Sequence, residues 1–362
     1  FSSSVPSVCS VVSPPPQEAL LALLTHPNIA SKHWIIRQYD HQVQGNTVIK
    51  PLNGPRGIGP SDASVIEPVP GTGRGLAVAC GLATGLSDDP YAMTLAAIDE
   101  CVRNLVCTGT DPDRIAILDN FCWPSCKKPE NLGSLVRAAH ACYDGAKAYR
   151  TPFVSGKDSL NNQFTVPGKD GEPGETIEIP PTLLITGMGI VHDLNTAVTS
   201  DAKSPGNTLI LVGSPQGKLA GSHAHQLGLV EGNAMPCVDL AQGPKLAKTV
   251  YTLIQSGLVR SAHDVSDGGV ACAIAEMLIA GSSTHAPIGY EASADLDWSI
   301  AFDESPSCYV LEVDDLDAVR KKLGNAPMRV LGVLDDSGRM VWDHLDASVD
   351  EMAAAWRSPL DW

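Results

Sequence analysis

Apolar positions along this chain recur with two periods, and blocks of one period alternate with blocks of the other. Three prolines, Pro14 to Pro16, lead into QEALLALL, a short helix whose first turn accepts proline. The stretch from His33 to Pro60 shows neither period and closes on NGPRGIGP, the composition of an extended connector. From Ser61 the texture changes: SDASVIEPV and GLAVACGL predict strands joined by the hairpin turn PGTGRG. Asp89 and Pro90 predict the N-cap and first residue of a helix running to about Cys107, and RIAILDN predicts the strand after it. A second helix is predicted from about Glu130 to Tyr149, with Leu132, Leu135, Val136, Ala139, Cys142 and Ala146 at helical spacing. The strands TPFVSG and TLLITGMGIV follow, separated by a polar loop at 167–175. SDAKSPGN, at 200–207, has the composition of a domain boundary. Beyond it come the buried strand TLILVGS, a helix over 268–281 and the strand SCYVLEV, and Ser348 with Glu351 forms a capping box for a last helix. The alternation gives an α+β or α/β architecture to both parts.

A length of 362 residues exceeds what one core usually serves. The divisions expected are a start, short helix and connector over 1–60, domains over 61–199 and 200–345, and a helical tail over 346–362. Residues 1–13, rich in Ser and Val, are expected to be poorly ordered. No apolar run approaches the ~20 residues that span a bilayer, so no membrane role is expected. Acidic residues outnumber basic ones 41 to 25, for a net charge of −16. Nucleic-acid affinity rests on clustered Lys and Arg, which this balance argues against. The ten cysteines are scattered and include a single C-x3-C pair, Cys122 and Cys126, which suits reduced thiols of a cytoplasmic protein. The chain begins at Phe1 and reads as a piece of something longer.

Three constellations carry chemistry. Glu100 and Asn104 lie four apart on the helix after Pro90, so both project from one face and offer oxygen ligands of the kind Mg²⁺ takes. The plain alternative is a solvated helix face. HDVSDGG (263–269) crowds Asp264, Ser266 and Asp267 just before a helix start, where backbone N–H groups favour phosphate and carboxylates can hold its metal. A capped helix N-terminus reads equally well. In VSGKDSLNN a strand ends at Gly156, and Lys157, Asp158 and Ser159 follow in a polar loop where Lys157 can meet phosphate charge. It lacks the spacing of a Walker A loop, and GTGRG precedes a strand where a dinucleotide fingerprint needs a helix. Asp62 and Asp119 are single carboxylates at strand ends. His263, beside a carboxylate, reads as a structural hydrogen-bonding residue in preference to a base.

Taken together, RQYDHQV, SDASV, ECVRNLVCTG, LDN, KPENLGSLVRA, TPFVSGKDSL, LAGS, HDVSDGG with AEM, and ESPS occur in an order that resembles the C-terminal half of the phosphoribosylformylglycinamidine synthase family. The similarity runs from about Pro15 to about residue 340, and HDVSDGG with AEM marks the wider AIR-synthase-like superfamily. It implies an α+β fold, with an N-terminal domain whose barrel-forming sheet packs against its counterpart and a C-terminal α/β layered domain closing a nucleotide cleft. It implies ATP and Mg²⁺ as cofactors, with metal ligands at Asp62, Glu100, Asn104 and Asp264. Ser61 and Ser266 match nucleotide contacts, and Asp119, Gly156, Lys157 and Ser159 match positions lining the nucleotide and substrate side. Lys157 replaces an Asn that ligates metal in short forms of the family.

The implied reaction is ATP-driven conversion of formylglycinamide ribonucleotide to its amidine. The implied partners are the N-terminal half of the synthase and a glutaminase domain or subunit, and a homodimer is allowed. The family's catalytic histidine loop is absent, so no catalytic residue is assigned, and His223 and His225 of SHAHQLG read as a loop pair. Two alternatives stand beside this reading: a non-catalytic nucleotide-binding half, or another enzyme of the superfamily.

Overall fold

The computed structural model describes residues 14–168, 174–295 and 297–361. The chain opens with helices α1 (Pro16–Leu24) and α2 (His33–Ile36). The first sheet region follows, with β1 (Thr47–Ile49), β2 (Leu52–Asn53), β3 (Gly59–Pro60), β4 (Ser64–Ile66) and β5 (Gly75–Gly81). Helix α3 (Pro90–Cys107), β6 (Ile115–Cys122), α4 (Pro129–Tyr149), β7 (Phe153–Ser159), β8 (Gln163–Val166), β9 (Glu175–Glu178) and β10 (Thr182–Val191) complete it. The second region holds β11 (Thr208–Val212), α5 (His223–Gln226), α6 (Gly243–Gln255), β12 (Ser261–Asp264), α7 (Gly269–Gly281) and β13 (Gly289–Ala292). It ends with α8 (Trp298–Ala301), β14 (Tyr309–Val313), α9 (Leu316–Leu323), β15 (Met328–Asp335), β16 (Arg339–Trp342), β17 (Leu345–Ser348) and α10 (Val349–Arg357).

The first sheet has the order β1-β4-β5-β10-β6-β7, antiparallel except for β6 with β7. Alternate residues of β5 and β10 turn one face toward α3: Ala77, Ala79, Leu183 and Ile185 are buried there. A close approach is needed. A Cβ on Gly81 would lie 2.0 Å from the carbonyl oxygen of Ala97, so only glycine lets the helix sit this near. The other face, with Ile66, Val78 and Met188, is open. Asp89 caps α3 as its sequence predicts, its carboxylate accepting from the N–H groups of Tyr91 and Ala92.

The second sheet, β12-β14-β11-β15-β13-β16-β17, is antiparallel except for β13 with β16. Both its faces are covered. Leu209, Leu211 and Val310 pack with α1, α7 and α10, whereas Ile210, Val212 and Leu311 share a continuous core with α3 and α6. Glu312, fully buried in β14, anchors the linker by accepting from Lys203 N–H at 2.8 Å, Ser204 N–H at 3.1 Å, Asn207 Nδ2 at 2.6 Å and Ser261 Oγ at 2.7 Å.

Three local expectations change. The extended connector contains α2, and its residues 47–49 form the edge strand β1. The strand expected to end at Gly156 runs on to Ser159, because β7 stays paired with β6 through Cys122↔Ser159. Asp119 lies within β6, not at its end. Residues 1–13 and the middle of the loop at 167–175 lie outside the described residues; the loop joins the hairpin β8–β9, which strand patterning missed.

Candidate nucleotide and metal site

Four separate segments converge on one cleft of about 440 Å³ between the two sheets' ends. The turn before β4 brings Ser61 and Asp62, the exposed-looking face of α3 brings Glu100 and Asn104, the end of β12 brings Asp264, and the turn into α7 brings Ser266. All six residues predicted to hold metal or nucleotide at this end therefore line the same space.

Their hydrogen bonds leave oxygens directed at it. Asn104 Nδ2 donates to the carbonyl of Cys80 at 2.9 Å, which turns its amide oxygen toward the cleft. Glu100 accepts the Leu82 N–H with only one oxygen, at 2.9 Å. Asp264 accepts from Arg103 at 3.2 Å through Oδ2, and its Oδ1 lies 3.9 Å from His263 Nδ1. Asp62, His263 and Asp264 each present a ligand atom within 4.8 Å of the others. His263 is spoken for: Nδ1 meets Asp62 Oδ1 at 2.5 Å and Nε2 meets Glu276 Oε2 at 3.1 Å. That fits the structural role read from sequence, and leaves carboxylate and amide oxygens as the donors, a set suited to Mg²⁺.

Crowded carboxylates raise one another. Burial first, then the charges of Asp264 and Asp267, push Glu100 well above the usual carboxylate range. Burial, opposed by His263 and reinforced by Asp264 and Glu276, lifts Asp62 to about 6. Burial lowers the His263 imidazole, but Asp62 and Glu276 outweigh it and raise the net value well above the ordinary one. A nearby cation would favour the ionised form of these carboxylates.

These shifts set a pH dependence. Between the ordinary Asp value near 3.8 and the folded value near 6, the folded chain holds a proton on Asp62 that the unfolded chain has lost. Stability contributed by that group therefore falls as pH rises through this window, and raised His263 acts in the same direction at higher pH. A divalent cation held by these carboxylates would offset the loss once they ionise. Thermal melts should show a Mg²⁺-dependent rise in Tm at pH 8 that shrinks toward zero by pH 5; an equal rise at both would count against a cation at these carboxylates.

Two features escaped the sequence reading. Arg103 lies buried behind the cleft, paired with Asp99 one helical turn away, with Asp264, and with the Val265 carbonyl at 3.2 Å. An arginine inside the apolar run of α3 was the available signal, since buried charges need partners. His223 is not a loop residue: it opens α5, is buried, and meets Glu304 at 3.0 Å and Asp267 at 3.7 Å. Asp267 rises to about 7, from burial first, with Glu304 and Asp264 adding to it and His223 opposing.

Asp119, Gly156, Lys157 and Ser159 do not line this cleft. They sit side by side on β6 and β7, split between two faces. Asp119 shares the helix-covered face with its antiparallel partner Ile185, and a Cβ on Gly156 would meet the Asp119 carboxylate at 2.6 Å. Lys157 bonds the hydroxyl of Ser159 two residues on, on the opposite, exposed face.

Comparison with known proteins agrees with this layout. The N-terminal domain of AIR synthase related protein matches residues 60–191 and the C-terminal domain matches 204–343. The phosphoribosylformylglycinamidine synthase subunit PurL of Deinococcus radiodurans is 33% identical over 361 residues, 94% of this chain and 46% of that protein. The corresponding subunit of Gloeobacter violaceus is 35% identical over 320 residues, 84% of this chain and 39% of that protein. The chain thus spans less than half the length of these curated relatives. Thermotoga maritima PurL complexed with FGAR has the same fold, at a TM-score of 0.66 and 17% identity over 94% of this chain and 54% of that one. The ADP complex of the same protein gives a TM-score of 0.63 at 16% identity, over 94% of this chain and 51% of that one. With both domains present in sequence and in fold, this chain belongs to the AIR synthase related family, alongside the phosphoribosylformylglycinamidine synthases.

Proposed function

We propose that the chain is the C-terminal half of a phosphoribosylformylglycinamidine synthase and that its cleft binds a magnesium nucleotide. The convergence of Ser61, Asp62, Glu100, Asn104, Asp264 and Ser266 on one space, with oxygens left open, carries this reading. Asp62, Glu100, Asn104 and Asp264 hold the metal; Ser61 and Ser266 contact ATP or ADP. Mg²⁺, when bound, neutralises and orients phosphate charge. In the complete enzyme ATP phosphorylates the amide oxygen of formylglycinamide ribonucleotide, and ammonia adds to that carbon as phosphate leaves. The N-terminal half supplies the rest of the active site and a glutaminase domain or subunit supplies ammonia. The open sheet face, with Ile66, Val78 and Met188, supports packing against that other half. A cytoplasmic location belongs to the same proposal.

A second reading has its own observation. Because Asp119, Gly156, Lys157 and Ser159 lie away from the cleft, the nucleotide held here is a structural one, and the strand residues serve a reaction site completed by the other half. Calorimetric titration of the chain with ADP, with and without Mg²⁺, tests the cleft; saturable binding that EDTA abolishes is expected, and its absence would overturn the reading. Adding the N-terminal half, ammonia and formylglycinamide ribonucleotide then separates the two: phosphate release lost in Asp264→Asn supports a reacting nucleotide, and release that survives loss of the bound nucleotide supports a structural one.

A further inference from the structure

Helix α4 carries two apolar faces, and the fold uses one of them. Its inner face is made largely of small residues: Ala138, Ala141 and Gly145 are buried on the side that packs against α3, with Tyr149 at the end. A Cβ on Gly145 would lie 2.7 Å from Ile98 Cδ1, so the two helices approach too closely for large side chains between them. The larger apolar residues point away. Leu132, Val136, Ala139 and Tyr143 recur at helical spacing on the outer face, with Leu132 47%, Val136 48% and Tyr143 62% exposed. Single exposed apolar residues are ordinary, but four in register along ~16 Å of helix form a continuous stripe.

The stripe ends in an open hollow of about 430 Å³, lined by Cys142, Ala146, Pro152 and Phe153 and shared by Lys147 and Arg150. His140, one turn on from Val136, and Lys147, one turn on from Tyr143, flank the stripe on one side. The acidic residues of α4 leave this margin basic: Glu130 sits in the first turn, and Asp144 accepts from Tyr91 Oη at 2.7 Å. Lys147 donates to the Tyr143 hydroxyl at 3.1 Å, and Arg150 comes no nearer than 3.8 Å to Asp113. Among the described residues nothing covers the stripe. It also lies apart from the open face with Ile66, Val78 and Met188, because α3 covers the other side of that sheet and α4 packs on α3.

We propose that the outer face of α4 is a docking surface for an acidic amphipathic helix of a partner polypeptide. The apolar side of that helix lies along Leu132, Val136 and Tyr143, one large side chain fills the hollow, and its carboxylates meet Lys147 and Arg150. A straight stripe at helical spacing suits a second helix by ridge-and-groove packing. Charge selects the occupant. A second copy placed face to face would set this basic margin against itself, and an extended anionic membrane would repel a chain of net charge −16. A single helix senses mainly the local charge, since charges more than about 10 Å away are screened at ordinary ionic strength. The inference is independent of the nucleotide reading.

The probe is a labelled helical peptide of about four turns, with Leu and Trp along one side and Glu elsewhere, titrated with the full chain by fluorescence anisotropy. It should bind at least ~10-fold more tightly than a counterpart with Lys at every Glu, and than a scrambled acidic peptide without the apolar side. Val136→Asp should weaken binding by ~10-fold or more while Tm stays as it was, because the side chain is half-exposed. Lys147→Glu combined with Arg150→Glu should reverse the order of the acidic and basic peptides, which an indifferent apolar contact would not do. Absence of binding, equal binding of the two peptides, or unaltered affinity in Val136→Asp overturns the proposal. A Val136→Asp chain that melts well below the original overturns it as well, by making the stripe part of the core. Sedimentation showing a dimer that Val136→Asp dissociates would assign the face to a second copy instead. Binding to phosphatidylcholine–phosphatidylserine vesicles that Val136→Asp abolishes would assign it to a membrane.

Discussion

Replacing Asp264 by asparagine is expected to weaken Mg²⁺-dependent nucleotide binding by at least ~10–100-fold, the loss that follows removal even of an outer partner of a metal ligand. The substitution preserves volume, and the amide oxygen can still accept from Arg103, so packing around the cleft is kept. Only the charge goes. That charge also raises the pKa of Glu100 and Asp62, so removing it lets both ionise more easily. Affinity and stability therefore move in opposite directions: binding falls, while the metal-free chain at neutral pH melts no lower than the original. Calorimetry and thermal melts on one preparation check both. A variant that binds Mg·ADP normally would remove Asp264 from the metal site, and a variant that loses binding and melts well below the original would recast Asp264 as structural.

Arg103→Met is expected to cost ~3–5 kcal/mol in stability, because it strips the counter-charge from a buried carboxylate. Asp99 is 1% exposed; besides Arg103 it accepts from Tyr149 Oη, Ser307 N–H at 2.7 Å and Ser307 Oγ at 2.5 Å. Those hydrogen bonds satisfy its lone pairs but do not neutralise it. The same arginine reaches Asp264, so α3, α4, the end of β12 and the loop before β14 meet in one network. Adding Asp99→Asn to Arg103→Met should restore part of the loss by removing the stranded charge. Urea unfolding of the two variants decides it. A loss of ~1 kcal/mol or less in the single variant, the size of an exposed pair, would mean that the charges are better solvated than their burial implies.

The fold was legible wherever one period ran long. Asp89 and Pro90 marked the start of α3 and the apolar run TLLITGMGIV is β10 from end to end, whereas the spacing of Leu132 through Ala146 marked α4 as a helix but not its core face, which is Ala138, Ala141, Gly145 and Tyr149. The open turn PGTGRG joins β4 to β5 as its glycines required, with Gly71 and Gly73 both at positive φ. The strand through Gly156, Lys157 and Ser159 was not legible, because its extended form comes from backbone pairing with β6 and its own residues are polar and largely exposed. At the site, local spacing put Glu100 and Asn104 together and the crowding in HDVSDGG put Asp264 beside Ser266. Their meeting with Asp62 depends on contacts over 200 residues long, such as His263 with Asp62, and no local pattern encodes those. His223 and Arg103 were hidden for a related reason: each owes its role to carboxylates contributed by distant segments.

The two ends of the described chain are laced to each other. Gln17 meets Glu351 at 3.3 Å, Ser31 and Ile29 bond to Trp356, and His33 meets Asp361 at 3.1 Å, while α1 lies in the same apolar layer as α7 and α10. A fragment cut to the homologous domains, at 60 and 343, would lose Leu20, Leu23 and Leu24 of α1 together with Met352 and Trp356 of α10, and leave the apolar sides of α7 uncovered. Such a trimmed fragment is expected to aggregate or express poorly for reasons unrelated to its binding residues. Expression boundaries for work on this protein are better drawn around the layer than around the alignment.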